Sequence, residues 1–450
     1  MALAVVIVLL VVGSLVFHFA SPWYFTPLAS NWGSVDFTVG ITFLVCGIVF
    51  VAVNLFTAYC LVRFRHRKNH QAHYEPESKK LEGGLTAFTA LGVAAMLTPG
   101  LFVWGEFVTV PDGADVVEAV GKQWHWSFRF PGDDGVLGRT DVRHMSVDNP
   151  FGMDPEDPAG QDDLLVATPV LHLPAGRPIH MLLRSTDVLH NFTVPQFRTK
   201  MDLVPGMVTY QWFTPTTVGS YELLCEELCG LAHFAMRGKV VIDEEADFET
   251  WLAALPTYAE TASAPRGDPA AGQAAYAVCT ACHGAQGEGN PALNAPKIAG
   301  QEPWYVKRQI RMYQQRMRGS DERDVFGMQM APMASTLATE QMLADVAAYI
   351  ETLPDEPAED TVFGDPVRGR KLYATCAECH GRDGQGNWST NAPRLAGMSD
   401  WYLRRQLQYF RDGVRGAHPD DLYGLQMAMM AASLRDDRAI DDVVAYINTL

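Results

Sequence analysis

From Tyr276 to Leu450 the chain repeats itself at a fixed step. Cys279 and Cys376 stand 97 residues apart, and nearly every landmark keeps that spacing. CTACHG (279–284) pairs with CAECHG (376–381), NAPKIAG with NAPRLAG, WYVKRQI with WYLRRQL, and GMQMAPMA with GLQMAMMA. The copies align without an insertion, so they are two examples of one folded unit. Helical periodicity dominates both, as in DVAAYIETL and DVVAYINTL. This predicts two small all-α domains, over 265–353 and 362–450.

Each copy carries Cys-x-x-Cys-His, the attachment signature of a c-type haem. The thiols of Cys279 and Cys282, and of Cys376 and Cys379, would add to the haem vinyl groups. His283 and His380 would then be the proximal iron ligands. A plain CxxC redox pair explains neither the following His nor the second copy. A low-spin carrier needs a sixth ligand, and Met opposite His raises the potential. Met330 and Met427 share a Gln-Met context, and Met333 and Met430 follow three residues later. Methionine stripes also fill cores, so both pairs are candidates.

The other end of the chain is apolar. Two apolar runs, about Phe37–Val62 and Leu85–Val108, are long enough to cross a bilayer, the second broken late by Pro99-Gly100. Between them lies RFRHRKNHQAHYEPESKK, with Arg63, Arg65, Arg67, Lys68, Lys79 and Lys80 against Glu75 and Glu77. The positive-inside rule puts this loop in the cytoplasm and everything after Val110 outside. This makes 37–110 a transmembrane hairpin. Residues 1–36 hold a third apolar run, Ala2–Ala20, with no Lys or Arg before it. A retained third span is the favoured reading over a cleaved secretory signal.

From about Asp115 to Ile242, short β-branched and aromatic runs alternate with turns, which predicts a β-sandwich or barrel within 111–257. Its loop CEELCGLAHFAM (225–236) places Cys225, Cys229, His233 and Met236 close together. Two thiolates, an imidazole and a thioether are a soft donor set that suits copper over magnesium or calcium. Structural zinc would more often show paired CxxC knuckles. A Cys225–Cys229 disulfide would leave the His and Met spacing unexplained. His190, upstream in DVLH, would complete the site. The acidic loop Asp148–Asp163 lacks EF-hand spacing and reads as solvated rather than as a calcium site.

CxExCGxxHxxM with an upstream DVLH resembles the binuclear copper centre, CuA, of cytochrome c oxidase subunit II. The resemblance implies a cupredoxin-like β-sandwich behind N-terminal transmembrane α-helices. It further implies that Cys225 and Cys229 bridge two coppers and that His190 and His233 each cap one. Met236 and the Glu227 carbonyl would be weak outer ligands, and the Glu227 carboxylate would reach magnesium at the boundary with subunit I. KQWHWSF resembles the family's aromatic strand, which makes Trp124 the residue receiving electrons from the cytochrome donor. Glu82 matches the acidic residue at the mouth of a proton path. Two departures stand out: Met207 replaces an Arg of the family, and Gly83-Gly84 replaces an aromatic. The tandem repeat resembles periplasmic dihaem cytochromes, in which the ligand lies seven residues before the Leu preceding the last helix. Leu337 and Leu434 then select Met330 and Met427.

The resemblance to caa-type oxidases implies a respiratory subunit with covalent haems and no catalytic residue of its own. Electrons from a cytochrome c or bc-type donor would pass through two haems c and CuA to subunit I, where oxygen is reduced and protons are translocated. Subunits I and III and the lipid bilayer are the expected partners, in a bacterial inner membrane with the redox domains periplasmic. The alternatives are the copper subunit of a nitric oxide reductase, or an anchored carrier without an oxidase partner. The net charge of −17, from 35 basic and 52 acidic residues, argues against a nucleic-acid partner. No cysteine is spare for a structural disulfide: six of the eight belong to these motifs, and Cys46 and Cys60 lie within a span.

Overall fold

The computed structural model describes residues 1–21, 26–68, 71, 74, 76–264 and 266–450. Glu75 of the basic loop and Pro265, at the start of the first predicted cytochrome domain, lie outside the described residues. Three helices come first: α1 (Ala2–Ala20), α2 (Gly33–Arg63) and α3 (Lys79–Phe107). All three are long and apolar enough to cross a membrane. Even α1, with 19 residues, spans about 28 Å at helical rise, close to a hydrocarbon core. The helix α3 does not break at Pro99-Gly100 as expected; it runs on through Pro99 to Phe107. Proline removes one ladder bond, and a membrane helix tolerates this where leaving the helix would expose more backbone to lipid.

The sandwich has ten strands. They are β1 (Asp115–Lys122), β2 (His125–Phe130), β3 (Leu164–Val166), β4 (Val170–Pro174), β5 (Ile179–Ser185), β6 (His190–Val194), β7 (Thr199–Leu203), β8 (Val208–Phe213), β9 (Gly219–Leu224) and β10 (Arg237–Asp243). One sheet runs β3-β2-β1-β5-β8 and the other β4-β10-β9-β6-β7. The pairs β1·β5 and β10·β4 are parallel; the remaining pairs are antiparallel. In β5 burial alternates strictly, the period-2 signature of a strand with one face on a core. Trp126, Phe128, Leu171, Met181, Phe192 and Phe213 fill the space between the sheets.

The sandwich is clamped to the membrane helices. The Trp32 indole donates to the Trp212 carbonyl at 3.0 Å, and the Trp212 indole to the Glu106 carbonyl at 3.0 Å. Arg198 meets Asp36, in the first turn of α2, at 2.6 Å. The start of α2 and the end of α3 therefore share the side that bears the sandwich.

The acidic loop, read above as solvated, is anchored to the sandwich, and so is the chain that leaves it. The acidic loop buries Phe151 and Met153, and Asp163 at its end accepts from buried Arg129 at 2.7 Å. After α4 (Glu245–Leu252), the segment joining the sandwich to the first repeat opens with α5 (Tyr258–Ala262), capped reciprocally by Thr257 and Glu260. Tyr258 packs into the cluster formed by Val120, Phe151, Met153 and Leu165.

The first cytochrome unit contains α6 (Pro269–His283), α7 (Pro303–Gln314), α8 (Val325–Ala334) and α9 (Glu340–Glu351). The second repeats it as α10 (Pro366–His380), α11 (Asp400–Arg411), α12 (Leu422–Ala431) and α13 (Asp437–Ile447). First and last helices cross at a glycine in each. A Cβ on Gly272 would lie 1.9 Å from the Asp345 carbonyl oxygen, and one on Gly369 1.9 Å from that of Asp442. Asp355, in the segment joining the units, binds Lys297 of the first and Arg394 of the second. The strap thus fixes how the two copies sit together.

Candidate copper centre and haem crevices

The proposed copper donors come from three places in one sheet. His190 opens β6, Cys225 follows β9, and Cys229, His233 and Met236 lie in the loop to β10. Cys225 Sγ and Cys229 Sγ are 3.7 Å apart. Cys225 Sγ is 3.9 Å from His190 Nδ1, and Cys229 Sγ is 3.4 Å from His233 Nδ1. Met236 Sδ lies 3.8 Å from Cys229 Sγ, and the Glu227 carbonyl oxygen 3.3 Å from Cys225 Sγ. A disulfide needs about 2.05 Å, so the thiols are not bonded.

These spacings fit a metal. With metal–sulfur bonds of about 2.3 Å and metal–nitrogen bonds of about 2.0 Å, tetrahedral angles put S and N about 3.5 Å apart and two sulfurs about 3.8 Å apart. His190, Cys225 and Cys229 hold their ligand atoms within 4.8 Å of one another, all buried. A hydrogen bond from the Cys229 thiol holds the Cys225 thiol below the usual range. Softness of the set, with thioether included, favours copper.

Neighbours outside the donor set hold it in place. His190 Nε2–H donates to Asp187 at 2.8 Å, which leaves Nδ1 facing Cys225. Asp187 also accepts from the Gln123 backbone N–H at 2.6 Å. The Cys229 carbonyl accepts from Gln123 Nε2 at 2.8 Å and from the Trp124 indole at 3.1 Å. Gly230 has φ +114°, and a Cβ there would meet Gln123 Nε2 at 2.7 Å. Only glycine fits this turn.

The haem-attachment motifs end α6 and α10. His283 Nδ1–H donates to the Pro296 carbonyl at 2.8 Å, and His380 Nδ1–H to that of Pro393 at 2.8 Å. A carbonyl can only accept, so in both rings Nε2 is left as the free ligand atom. Burial pushes both imidazoles below their ordinary range and keeps them neutral. Both attachment motifs, with Met330 and Met427, line one continuous cavity. Met330 and Met427 also pack with the core of their own unit. Met333 is 42% exposed, while Met430 packs against the copper domain's core. The residues present therefore fit covalent haem with a His and a Met on the iron.

Residues 115–244 match the cytochrome c oxidase subunit II periplasmic domain, and residues 269–354 and 366–450 each match cytochrome c. An alternative cytochrome c oxidase subunit 2 from Bradyrhizobium diazoefficiens is 54% identical over 259 residues, 58% of this chain and 94% of that protein. The chain belongs to the cytochrome c oxidase subunit 2 family. A subunit 2 from Cereibacter sphaeroides is 25% identical over 224 residues, 47% of this chain and 73% of that one. The C-terminal half is 35% identical to cytochrome c4 of Thiocapsa roseopersicina over 202 residues, 42% of this chain and 96% of that one.

Subunit 2 membership with two cytochrome c domains carries several consequences. It supports an electron-transfer role within a haem–copper oxidase that includes subunit I. It implies haem c and copper as cofactors, and a membrane anchor with the sandwich on the exoplasmic side.

Two expected residues have more specific surroundings than their motifs conveyed. Glu82, in the first turn of α3, accepts from the backbone N–H of Ser78 at 3.2 Å. Trp124 is only 5% exposed, and its carbonyl accepts from Gln426 Nε2 of the second cytochrome unit at 2.6 Å. Sequence reasoning missed Gln123, Asp187 as a partner of His190, Tyr423 and Gln426. A signal existed for Tyr423: its counterpart in the first repeat is Phe326, a place where the copies differ.

Proposed function

We propose that this chain is the electron-receiving subunit of a bacterial respiratory oxidase and delivers electrons to subunit I for the reduction of oxygen. Cys225 and Cys229 would bridge a binuclear copper centre, His190 and His233 would cap it, and Met236 and the Glu227 carbonyl would be weak outer ligands. Cys279, Cys282, His283 and Met330 would hold the first haem, and Cys376, Cys379, His380 and Met427 the second. When bound, these groups supply reversible one-electron oxidation and reduction; the chain itself makes and breaks no bonds.

The chain's own work is positional. Asp187 and the Pro296 and Pro393 carbonyls fix the tautomers of three ligand histidines. The two crossings at Gly272 and Gly369 hold each attachment helix against its unit's last helix. The Glu227 carboxylate would reach magnesium at the subunit I boundary, and Glu82 would stand at the mouth of a proton path. Subunit III completes the complex, in the inner membrane. The units are 1–36, 37–110, 111–257, 265–353 and 362–450.

The observation that carries this reading is the convergence of two thiols, two imidazoles and a thioether, each 3.4 to 3.9 Å from its nearest sulfur neighbour, beside two His-bearing crevices. Oxygen uptake by the purified complex, set against nitric oxide consumption, tests it. Uptake of oxygen alone, with a subunit bearing haem a present, supports the oxidase; nitric oxide as the preferred substrate overturns it.

A further inference from the structure

The two cytochrome units are copies, but they stand differently toward the copper domain. Among the described residues, the hydrogen bonds and ring contacts joining that domain to the cytochromes are made by the second unit. The Tyr423 ring stacks on His125 with centroids 5.1 Å apart. Gln426 donates to the Trp124 carbonyl at 2.6 Å. The Lys122 ammonium lies 5.0 Å from the centre of the Trp388 ring. Cys379 and Met430 pack against the copper domain's own core. From Gln426, next in sequence to Met427, two hydrogen bonds and one indole lead to the Cys229 carbonyl. Trp124 also lines the cavity shared by the haem-attachment motifs.

The same face of the first unit is open. Met333, the counterpart of Met430, is 42% exposed, and Val325, the counterpart of Leu422, is 48% exposed where Leu422 is 8%. Cys282, the counterpart of Cys379, is exposed. Two more positions at the mouth of the crevice have become apolar: Val278 stands where the second copy has Thr375, and Leu293 where it has Thr390. Both are about half exposed, at 48% and 51%. An exposed apolar ring around a redox crevice marks a contact surface. Small, transient contacts are typical of electron-transfer encounters.

We propose that the second unit is the immediate electron donor to the copper centre, through Trp124, and that the open face of the first unit docks an external electron-carrier protein. The inference rests on the function proposed above. The occupant follows from the pseudo-symmetry. The matching face of the second unit already seats a domain built to hold a redox metal, and the first copy keeps that face while making it more apolar. Trp124, which a soluble donor would otherwise reach, is sealed by the second unit. The step is a one-electron transfer: the iron of the second unit is oxidised from ferrous to ferric as the copper centre gains that electron. No bond forms and no proton moves.

The test uses the intact complex, with a soluble class I ferrocytochrome c as the probe carrier and stopped-flow detection of haem c and of the near-infrared copper band. The double variant Val278→Glu/Leu293→Glu is expected to slow the second-order reaction with ferrocytochrome c at least tenfold relative to turnover on a small-molecule reductant. Gln426→Ala, and separately Trp124→Phe, are expected to leave that second-order rate within twofold and slow the subsequent copper reduction at least tenfold. Haem content and the copper band, measured first, report that each variant is folded and loaded. An unchanged second-order rate in the Val278/Leu293 variant would overturn the docking face. Copper reduction at the parent rate in both Gln426 and Trp124 variants would overturn the haem order, and a parent complex that ferrocytochrome c does not reduce would overturn the docking of an external carrier. A parent complex lacking the copper band would instead refute the underlying function.

Discussion

The Trp124 indole donates to the Cys229 carbonyl at 3.1 Å, tying the aromatic strand of the sandwich to the loop that carries the copper thiols. A ligand loop built only of its own turn would drift. Here Trp124 and Gln123 hold one carbonyl between them, and Gly230 gives the backbone room to reach it. The result is a donor set held in position by neighbours outside it, the support that a metal site needs if its geometry is to stay fixed.

Cys229→Ser is expected to abolish the near-infrared copper band and leave both covalent haems at full occupancy. Cys229 is within 3.8 Å of Cys225, His233 and Met236, so its loss removes the hub of the set. Each cytochrome unit has a core of its own. Optical spectra of the purified variant check this; loss of haem with the copper would contradict the separation.

Met330→Leu is expected to remove a methionine–iron bond from one haem only. Leucine keeps the volume, so the unit still folds, but the iron loses a thioether that raises its potential. A redox titration should show one of the two haem c components shifted down and partly high-spin. Met333→Leu should leave both unchanged.

Much of the site was legible because its information is local. The haem motifs, the loop from Cys225 to Met236 and the 97-residue repeat are patterns within short windows or at a constant step. What could not be read joins distant parts of the chain. Gln426 and Trp124 are 302 residues apart, and no periodicity links them; only the docking of the second unit brings them together. The α3 helix hid its length for another reason. Pro99 is a helix breaker in water, but the lipid environment raises the cost of unpaired backbone and reverses that preference.

Gly272→Ala is expected to destabilise the first cytochrome unit by about 1 to 3 kcal/mol through overpacking, because the new methyl would run into the Asp345 backbone. Gly369→Ala should do the same to the second unit. Thermal unfolding followed by haem absorbance checks both; equal stability to the parent would mean that α6 and α9 can part without loss.

The fold around His125, at the seam between the copper domain and the second cytochrome unit, should lose stability in acid. Burial pushes His125 down to about 3, and Lys122, Arg308 and Tyr423 face it with no carboxylate among them. The free imidazole titrates near 6.5, so the folded state binds fewer protons than the unfolded chain between about pH 6.5 and 3. Folding stability at this seam residue is full above that window and falls by about 1.4 kcal/mol per pH unit as pH falls through it. His125→Gln, which can still donate to the Ala167 carbonyl, should flatten the dependence. Thermal midpoints at pH 7 and pH 5 measure the difference.

The most direct test is quantitative metal and haem analysis of the intact purified complex, normalised to this chain. Two coppers and two covalent haems c attributable to the chain, with a mixed-valence copper signal in electron paramagnetic resonance, are the predicted result. Zinc at the thiol site, or no metal there, would contradict it.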